Sequence, residues 1–530
     1  MHQKESALGK LIFAIMAFSC SSAAFAQTLP SPEDPLWRYQ AWMETAGLAK
    51  PKNLMFQDSG ARAEQDCGPW KLEDKKVSQE AAPAWNLAPA ETGIYYNSSA
   101  PSDMNEGGIW KGVGFTGWAR MGIEASWGPF SGTLGLQGWA SQNESFALAT
   151  SANSEQSLMG LDGGNIDAPQ RFGLVPFYRL NIANSQIRYD LSPVYLSFGD
   201  ENLWAGPAVF NPLLLSSNAE GFPHALLGLQ NFATPVGNLE AQLLYGQLKD
   251  SDYWPTPEDR FFGGLFLAYQ PVFFPQLTLG AERTVYSYWD NLNPSTFAIP
   301  FWPGTGPDAG TGSSKQHVSL TWRLLFPEVG FEFYGEWGKN DFSNPAILYL
   351  LNPEHESAYM VGLKKTFSLS DDKVLGIGFE MVNLTQNMES LININGYGVG
   401  GDFYSCWSIL EGYTNDGMVL GAGAGNGSEM EVLYADLYYP QGRFGLELTR
   451  LLPLESYLYW SGNLEQGNEH LTDAIFQLKL EGDYRIHSWI FSLDVAPSVE
   501  LNRYFIQGNT LWNFSSQASV KYSFPSMPPD

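Results

Sequence analysis

The sequence predicts an all-β protein, a closed antiparallel transmembrane β-barrel of about 18 strands with a short N-terminal segment that contains one helix. Three observations predict this fold. Apolar and polar side chains alternate with a period of two from about residue 110 to residue 524. Charged residues make up only 16% of the chain, whereas aromatic residues make up 14% and there are 54 glycines. Short turns also alternate with long loops rich in Gly, Ser, Pro and Asn.

Residues 1–26 have the features of a secretory signal peptide. Basic residues at Lys4 and Lys10 precede a short apolar stretch, and small residues end at Ala26. The apolar stretch is too short to span a membrane. Cleavage as a lipoprotein at Cys20 is the alternative, but the branched aliphatic residue expected before it is missing. We therefore expect cleavage after Ala26 and export to the outer membrane.

The exported chain divides into two parts by the period of its hydrophobic pattern. Apolar residues recur at helical spacing over 36–48, and Pro51 ends that pattern. We expect residues 27–104 to form a small periplasmic or plug-like segment with this one helix. Residues 105–530 are expected to form the barrel.

The stretch 317–337 shows the strand pattern most clearly. Apolar residues alternate with polar ones on both sides of a tight turn at Pro327. A soluble sandwich or propeller would show the same alternation. The aromatic residues Phe326 and Trp337 at strand ends, and Phe524 at the end of the last strand, favour a membrane barrel with aromatic girdles. Unpaired backbone groups in lipid would cost several kcal/mol each, so the sheet must close.

Charge and cysteine content exclude several classes of partner and cofactor. With 56 acidic and 29 basic residues, the net charge of −27 argues against a nucleic-acid partner. After signal cleavage only Cys67 and Cys406 remain, so neither a disulfide framework nor a zinc site is expected. Acidic pairs at 371–372 and at Glu429 and Glu431 lack the spacing of a calcium loop. We expect no metal and no cofactor.

Catalysis has little support in the sequence. His317 and Ser319 share one face of a predicted strand and are the single pair that suits a nucleophile and its base. More often, such a histidine is simply part of the polar lining of the lumen. The glycine-rich stretch 421–427 lacks the lysine of a phosphate-binding loop and is interpreted as a mobile loop. We therefore expect a protein that is not an enzyme.

One region carries a resemblance to a known family. A strand that ends in Trp-Ala-Gly-Pro is followed by a short loop, a Ser-Ser-Asn-Ala sequence and a Phe-Pro pair. This order resembles the signature of the Wzi-type capsule assembly family of outer-membrane proteins, and the likeness continues in order from residue 94 to residue 249. Ala205 stands where that family often has a second Trp, and the C-terminal half matches only in pattern. The residues that carry the signature are Trp204, Gly206, Pro207, Ser216, Ser217, Asn218, Phe222 and Pro223.

The resemblance implies a barrel plugged by its own loops that acts as a surface lectin and anchors exported polysaccharide without catalysis. Its implied partners are surface polysaccharide, outer-membrane lipid and the barrel insertion machinery during biogenesis. From the residues themselves, two interpretations of the signature stay open. Its members either shape a loop folded into the lumen or contact the carbohydrate. A porin-like diffusion channel is the alternative function, because the predicted inward faces are polar.

Aromatic side chains in polar loops are candidate platforms for stacking on sugar rings. An anionic polysaccharide would be repelled by the net charge, so it would have to be bound locally. In such a position an aromatic residue is more often a loop anchor or a girdle residue than a sugar platform. The candidates are Tyr253, Trp254, Trp289, Trp302 and Tyr413.

Overall fold

The computed structural model describes most of the chain after residue 30. No helix in these ranges is long and apolar enough to cross a membrane. The ranges described are 31–51, 53–58, 68–70, 84–102, 104–149, 166–301, 314–340, 356–385, 402–454 and 471–524.

The wall is a closed barrel of 18 antiparallel strands, which confirms the predicted fold class. Each strand pairs with its neighbours in the chain, and the last strand pairs with the first, from Ala90 opposite Tyr522 to Asn97 opposite Ser515. In order, the strands are β1 (Ala84–Asn97), β2 (Gly114–Trp127), β3 (Phe130–Ser141), β4 (Phe177–Ile182 continued by Gln186–Leu191), β5 (Val194–Gly199), β6 (His224–Thr234), β7 (Gly237–Leu248), β8 (Arg260–Pro271), β9 (Leu277–Tyr288), β10 (Lys315–Phe326), β11 (Phe331–Asn340), β12 (Ser357–Ser370), β13 (Lys373–Asn383), β14 (Glu429–Tyr439), β15 (Gly442–Leu452), β16 (Ala474–Ile486), β17 (Trp489–Leu501) and β18 (Leu511–Tyr522).

The strand faces are inverted relative to a soluble protein. In the hairpin of β10 and β11, Leu320 and Trp337 lie opposite each other and are exposed, whereas Ser319, Thr321 and Glu336 are buried. Apolar side chains therefore point outwards, where lipid would surround them, and polar side chains point into the lumen. The alternation that the sequence shows is confirmed, and so is its interpretation as a membrane barrel.

The connections differ in length at the two ends of the barrel. One end carries tight turns, such as Gly128-Pro129 and the turn at 371–372. The start of β1 and the end of β18 lie at the same end. The other end carries long connections, including 200–223 and 384–428. Such asymmetry is typical of outer-membrane barrels, in which short turns face the periplasm and long loops face outwards.

The barrel begins earlier than the boundary predicted at 104/105. Strand β1 covers Ala84–Asn97 and pairs with both β2 and β18, so these residues belong to the wall. Its alternation is hard to recognise because the register with β2 shifts between Ala88 and Glu91, around Pro89. A proline and an irregular register break the period of two locally.

The N-terminal helix spans Pro35–Thr45 and is three residues shorter at its end than the predicted 36–48. Asp34 caps its start, since its side chain accepts hydrogen bonds from the backbone N–H groups of Leu36 and Trp37 at 2.8 and 3.2 Å. After the helix, Gly47 adopts a positive φ of 71°, which ends the helix.

Candidate functional site

The helix Pro35–Thr45 lies inside the barrel and is fixed there by a buried cation. The guanidinium of Arg38 contacts carboxylates on three successive strands, β14, β15 and β16. Arg38 Nε lies 2.8 Å from Asp436 Oδ2, one terminal nitrogen pairs with Glu447, and the same nitrogen lies 3.3 Å from Glu481. A charge in this position requires such partners, because burial removes its hydration.

The same N-terminal segment also reaches the opposite wall. Thr45 Oγ1 donates to Glu332 on β11 at 2.7 Å. The backbone N–H groups of Leu54 and Met55 donate to Glu240 on β7 at 2.6 and 3.0 Å. Because β7 lies across the barrel from β14 to β16, with β11 between them in the wall, the segment crosses the lumen near the short-turn end.

A group of three carboxylates beside this segment has the arrangement of a metal site. Oxygens of Glu33, Glu481 and Asp494 lie within 4.8 Å of one another. The ammonium of Lys479, however, lies 2.6 Å from Glu33 and 3.1 Å from Glu481. A lysine cation therefore already supplies the positive charge that this group requires.

The N-terminal segment and the signature loop, residues 203–222, together form the plug of the barrel. They meet at the start of the signature. The short strand Leu203–Ala205 pairs with the strand Phe56–Asp58 of the N-terminal segment. Trp204 is 1% exposed, its indole N–H donates to the carbonyl of Ala208 at 3.0 Å, and its ring centroid lies 5.2 Å from that of Trp37. Trp204 therefore joins the signature loop to the N-terminal segment.

The next residues are held by wall glutamates through the backbone. Gly206 has a φ of 93°, a conformation that favours glycine and turns the chain. The N–H groups of residues 209–211 donate to the carboxylate of Glu380 at 2.7 to 3.0 Å. The N–H of Leu213 donates to Glu336 at 3.0 Å. These bonds satisfy buried donors that have no strand partner.

The Ser-Ser-Asn part of the signature joins three loops. Ser216 Oγ and Asn218 Nδ2 donate to carbonyls of the loop at 419–421, at 2.6 and 2.9 Å. Ser217 Oγ donates to the carbonyl of Asn105 at 3.1 Å. All three side chains are buried and bonded within the protein.

The last part of the signature returns the chain to the wall. Phe222 is buried with its ring 5.2 Å from that of Phe262, and the carbonyl of Pro223 accepts from the N–H of Gln247 at 3.0 Å. Pro223 is exposed and Pro207 is half-buried. Contacts within the protein thus support the loop-shaping interpretation of the signature.

Two of the candidate stacking residues lie in the interior instead of on the surface. Tyr413 is fully buried with its ring 4.4 Å from His317. Trp254 is buried and its indole N–H donates to Glu411 at 2.9 Å. Neither ring offers a free face to a sugar. The local pattern did not reveal this, because only the inward fold of the loop after residue 402 buries both rings.

Other aromatic side chains remain accessible. Tyr253 is partly buried, and Trp289 is 42% exposed with one side against Phe261. Trp302 lies outside the described residues. The sequence analysis missed Trp407, which is 78% exposed in the loop between β13 and β14. Its position in a long loop after a Gly/Asn-rich stretch was the signal that could have identified it.

His317 and Ser319 do not form a catalytic pair. His317 Nε2 lies 2.8 Å from the carbonyl of Phe403, and Ser319 Oγ donates to Glu336. Both residues are fully buried on the inner face of β10. The hydroxyl is therefore bonded to a carboxylate and not to His317, and burial leaves neither side chain accessible to a substrate.

A cavity remains in the lumen between the plug and the wall from β14 to β18. Its volume is about 290 Å³. Phe210 of the signature loop and Ala424 of the loop between β13 and β14 border it on the side away from the wall. Its charged lining is mainly acidic and consists of Glu33, Glu447, Asp494, Glu500, Lys111 and Lys479.

Comparison with known proteins places this fold beside outer-membrane barrels. No family model and no curated protein matches the chain by sequence. Among solved structures, the chain is similar to Wzi of Escherichia coli, described as an outer-membrane protein involved in group 1 capsule assembly and a carbohydrate-binding β-barrel. The TM-score is 0.62 at 14% identity, over 95% of this chain and 100% of that chain.

Two other outer-membrane proteins show a weaker similarity. OprD of Pseudomonas aeruginosa has a TM-score of 0.40 at 11% identity, over 83% of this chain and 92% of that chain. The channel DcaP of Acinetobacter baumannii has a TM-score of 0.36 at 10% identity, over 84% of this chain and 98% of that chain. The resemblance that the sequence shows to the Wzi type is thus confirmed for the fold.

Proposed function

We propose that this protein is a non-catalytic outer-membrane lectin that binds surface polysaccharide and retains it at the cell. The observation that carries the proposal is a barrel with the fold of a carbohydrate-binding protein whose lumen is crossed by its own N-terminal segment and signature loop. Export through the signal at 1–26, insertion by the barrel machinery and contact with outer-membrane lipid are parts of the same proposal.

The distribution of charge is compatible with an acidic polysaccharide. Many acidic side chains are buried in the lumen, where they bind the plug: Glu240 and Glu380 accept backbone N–H groups, and Asp436 pairs with Arg38. Net charge therefore overstates the repulsion that a ligand meets at the outer loops. Accessible aromatic rings such as Trp407 would supply the local contact that such a ligand requires.

Deletion of the gene tests the retention role. We expect polysaccharide to be released into the medium while its total amount is unchanged, and re-expression of the full chain to restore retention. Unchanged cell-associated polysaccharide in the deletion strain would contradict the proposal.

Substitution of the exposed tryptophan tests its place in binding. We expect Trp407→Ala to weaken binding of the purified protein to immobilised polysaccharide about fivefold, the equivalent of ~1 kcal/mol for one stacking contact. Trp127→Ala is the matched control, because Trp127 is 64% exposed at the short-turn end. Equal binding by both variants would remove Trp407 from the proposed site.

A diffusion channel is the second candidate, and the cavity beside β14 to β18 is the observation that favours it. Planar-bilayer recording separates the two functions. A plugged lectin should give no steady conductance, whereas a channel should give a steady open current that depends on salt concentration.

A further inference from the structure

Three neighbouring strands present a polar cluster beneath the signature loop. Glu282 on β9 lies opposite Ser319 on β10, and Thr321 on β10 lies opposite Glu336 on β11. All four side chains are buried on the inner face. Gly206 of the signature loop lies directly above them.

Glu282 differs from the other wall glutamates that face the plug. It is 1% exposed, and neither of its carboxylate oxygens has a hydrogen-bond partner among the described residues. Glu380 and Glu240, by contrast, each accept backbone N–H groups. The hydroxyl of Thr321, in the same cluster, is also buried and has no hydrogen-bond partner among the described residues. A buried carboxylate without a partner is strongly destabilised when it is ionised, because burial removes its hydration.

The two carboxylates of the cluster face the same point. A methyl carbon added to Gly206 would lie 3.3 Å from Glu336 Oε2 and 3.7 Å from Glu282 Oε1. Two buried carboxylates that face one point repel each other unless a positive charge or a shared proton lies between them. No lysine or arginine contacts Glu282 among the described ion pairs, which contrasts with the carboxylates around Arg38 and Lys479.

We infer that Glu282 and Glu336 bind a hard divalent cation, Ca²⁺ or Mg²⁺, beneath Gly206. The two carboxylates supply oxygen ligands, which these two ions prefer, and water would complete the coordination shell. Thr321 presents its methyl group to the same position, 3.6 Å from a carbon added to Gly206, and is not a ligand. Glu336 also accepts the N–H of Leu213 and the hydroxyl of Ser319. The cation would therefore fix the signature loop to the wall. This inference is independent of the polysaccharide that the protein binds.

Metal analysis of the full-length protein tests the site. The wild type and Glu282→Gln are extracted from outer membranes in the same detergent, dialysed against EDTA, and returned to Ca²⁺ or Mg²⁺. Tightly bound metal is then measured by mass spectrometry, and thermal unfolding is measured with and without each ion. Residual lipid carries the same ions into both preparations. The difference in metal content between the wild type and Glu282→Gln therefore counts only ions bound at the site. Glu380→Gln is the matched control, since it neutralises a carboxylate that binds the same loop but already has partners.

We expect the wild type and Glu380→Gln to retain about one more divalent ion per chain than Glu282→Gln, and their midpoints of unfolding to rise on addition of the preferred ion. Glu282→Gln should lose at least tenfold in affinity for that ion. The relative effect of Ca²⁺ and Mg²⁺ identifies which ion is bound. Equal metal content and equal ion response in the wild type and Glu282→Gln would overturn the inference and leave a shared proton as the explanation of the pair.

Discussion

The two halves of the plug are bound to the same wall by different chemistry. The N-terminal half, residues 31–58, is held largely through its side chains, above all the guanidinium of Arg38 among three carboxylates. The signature half, residues 203–222, is held near its centre through backbone N–H groups that donate to Glu380 and Glu336. A loop bound through its backbone depends less on its own side chains than on the carboxylates that face it.

This difference explains part of the acidic composition. A donor in an irregular loop inside a barrel has no strand to pair with, and a carboxylate accepts several such donors at once. Glu380 accepts three backbone N–H groups and Glu240 accepts two. Acidic residues in the wall therefore serve as acceptors for the plug.

The largest effect is expected from the side-chain half. Arg38→Ala removes the cation shared by Asp436, Glu447 and Glu481, so we expect a loss of about 3 to 5 kcal/mol in the free energy of unfolding. Urea titration followed by tryptophan fluorescence measures this loss, and bilayer recording should show new conductance as the segment loosens. Arg450→Ala, which breaks a half-exposed ion pair, should cost less than about 1 kcal/mol. A similar loss in both variants would contradict the distinction.

A smaller effect is expected from the backbone-held half. Glu380→Ala leaves the N–H groups of residues 209–211 without their acceptor, and we expect a loss of about 2 to 3 kcal/mol. The same urea titration measures it. Glu328→Gln, in an exposed turn, should change stability by less than about 0.5 kcal/mol. If Glu380→Ala were as stable as the wild type, backbone donors would not be what holds this loop.

The contact between the halves is expected to contribute less than either anchor. A double-mutant cycle of Trp37→Phe and Trp204→Phe should give a coupling energy of about 0.5 to 1.5 kcal/mol, because the two rings lie 5.2 Å apart. A coupling of zero would mean that the two halves are bound to the wall independently.

The pH dependence of stability involves a carboxylate just before the signature half. Burial, reinforced by the neighbouring carboxylate of Glu201, raises the pKa of Asp200 at the start of the signature connection to about 6. Since the folded state then holds a proton that the unfolded state releases, this stabilising contribution is complete below pH 4 and is lost as the pH rises through 6. We expect Asp200→Asn to flatten the dependence of the thermal midpoint on pH between 4 and 7. An unchanged slope would exclude Asp200 as its cause.

The sequence predicted the wall far better than the site. Alternation of period two, as in β10 and β11, reports a local property, namely which side of a strand faces lipid. It failed at β1, where Pro89 and a register shift interrupt the period. The burial of Tyr413 and Trp254 could not be predicted, because each is covered by residues far away in the chain.

By itself, the sequence determined the all-β class, the closed barrel of about 18 strands and the resemblance of the signature to the Wzi type, since each rests on local period, composition or residue order. Three features became visible only in the folded protein: the signature residues are bonded within the protein, wall carboxylates hold the plug, and Glu282 has no hydrogen-bond partner among the residues that the structure describes. The physical reason is distance along the chain. Hydrogen bonds such as that from Val209 to Glu380 join residues 171 positions apart, and no local pattern records such a pairing.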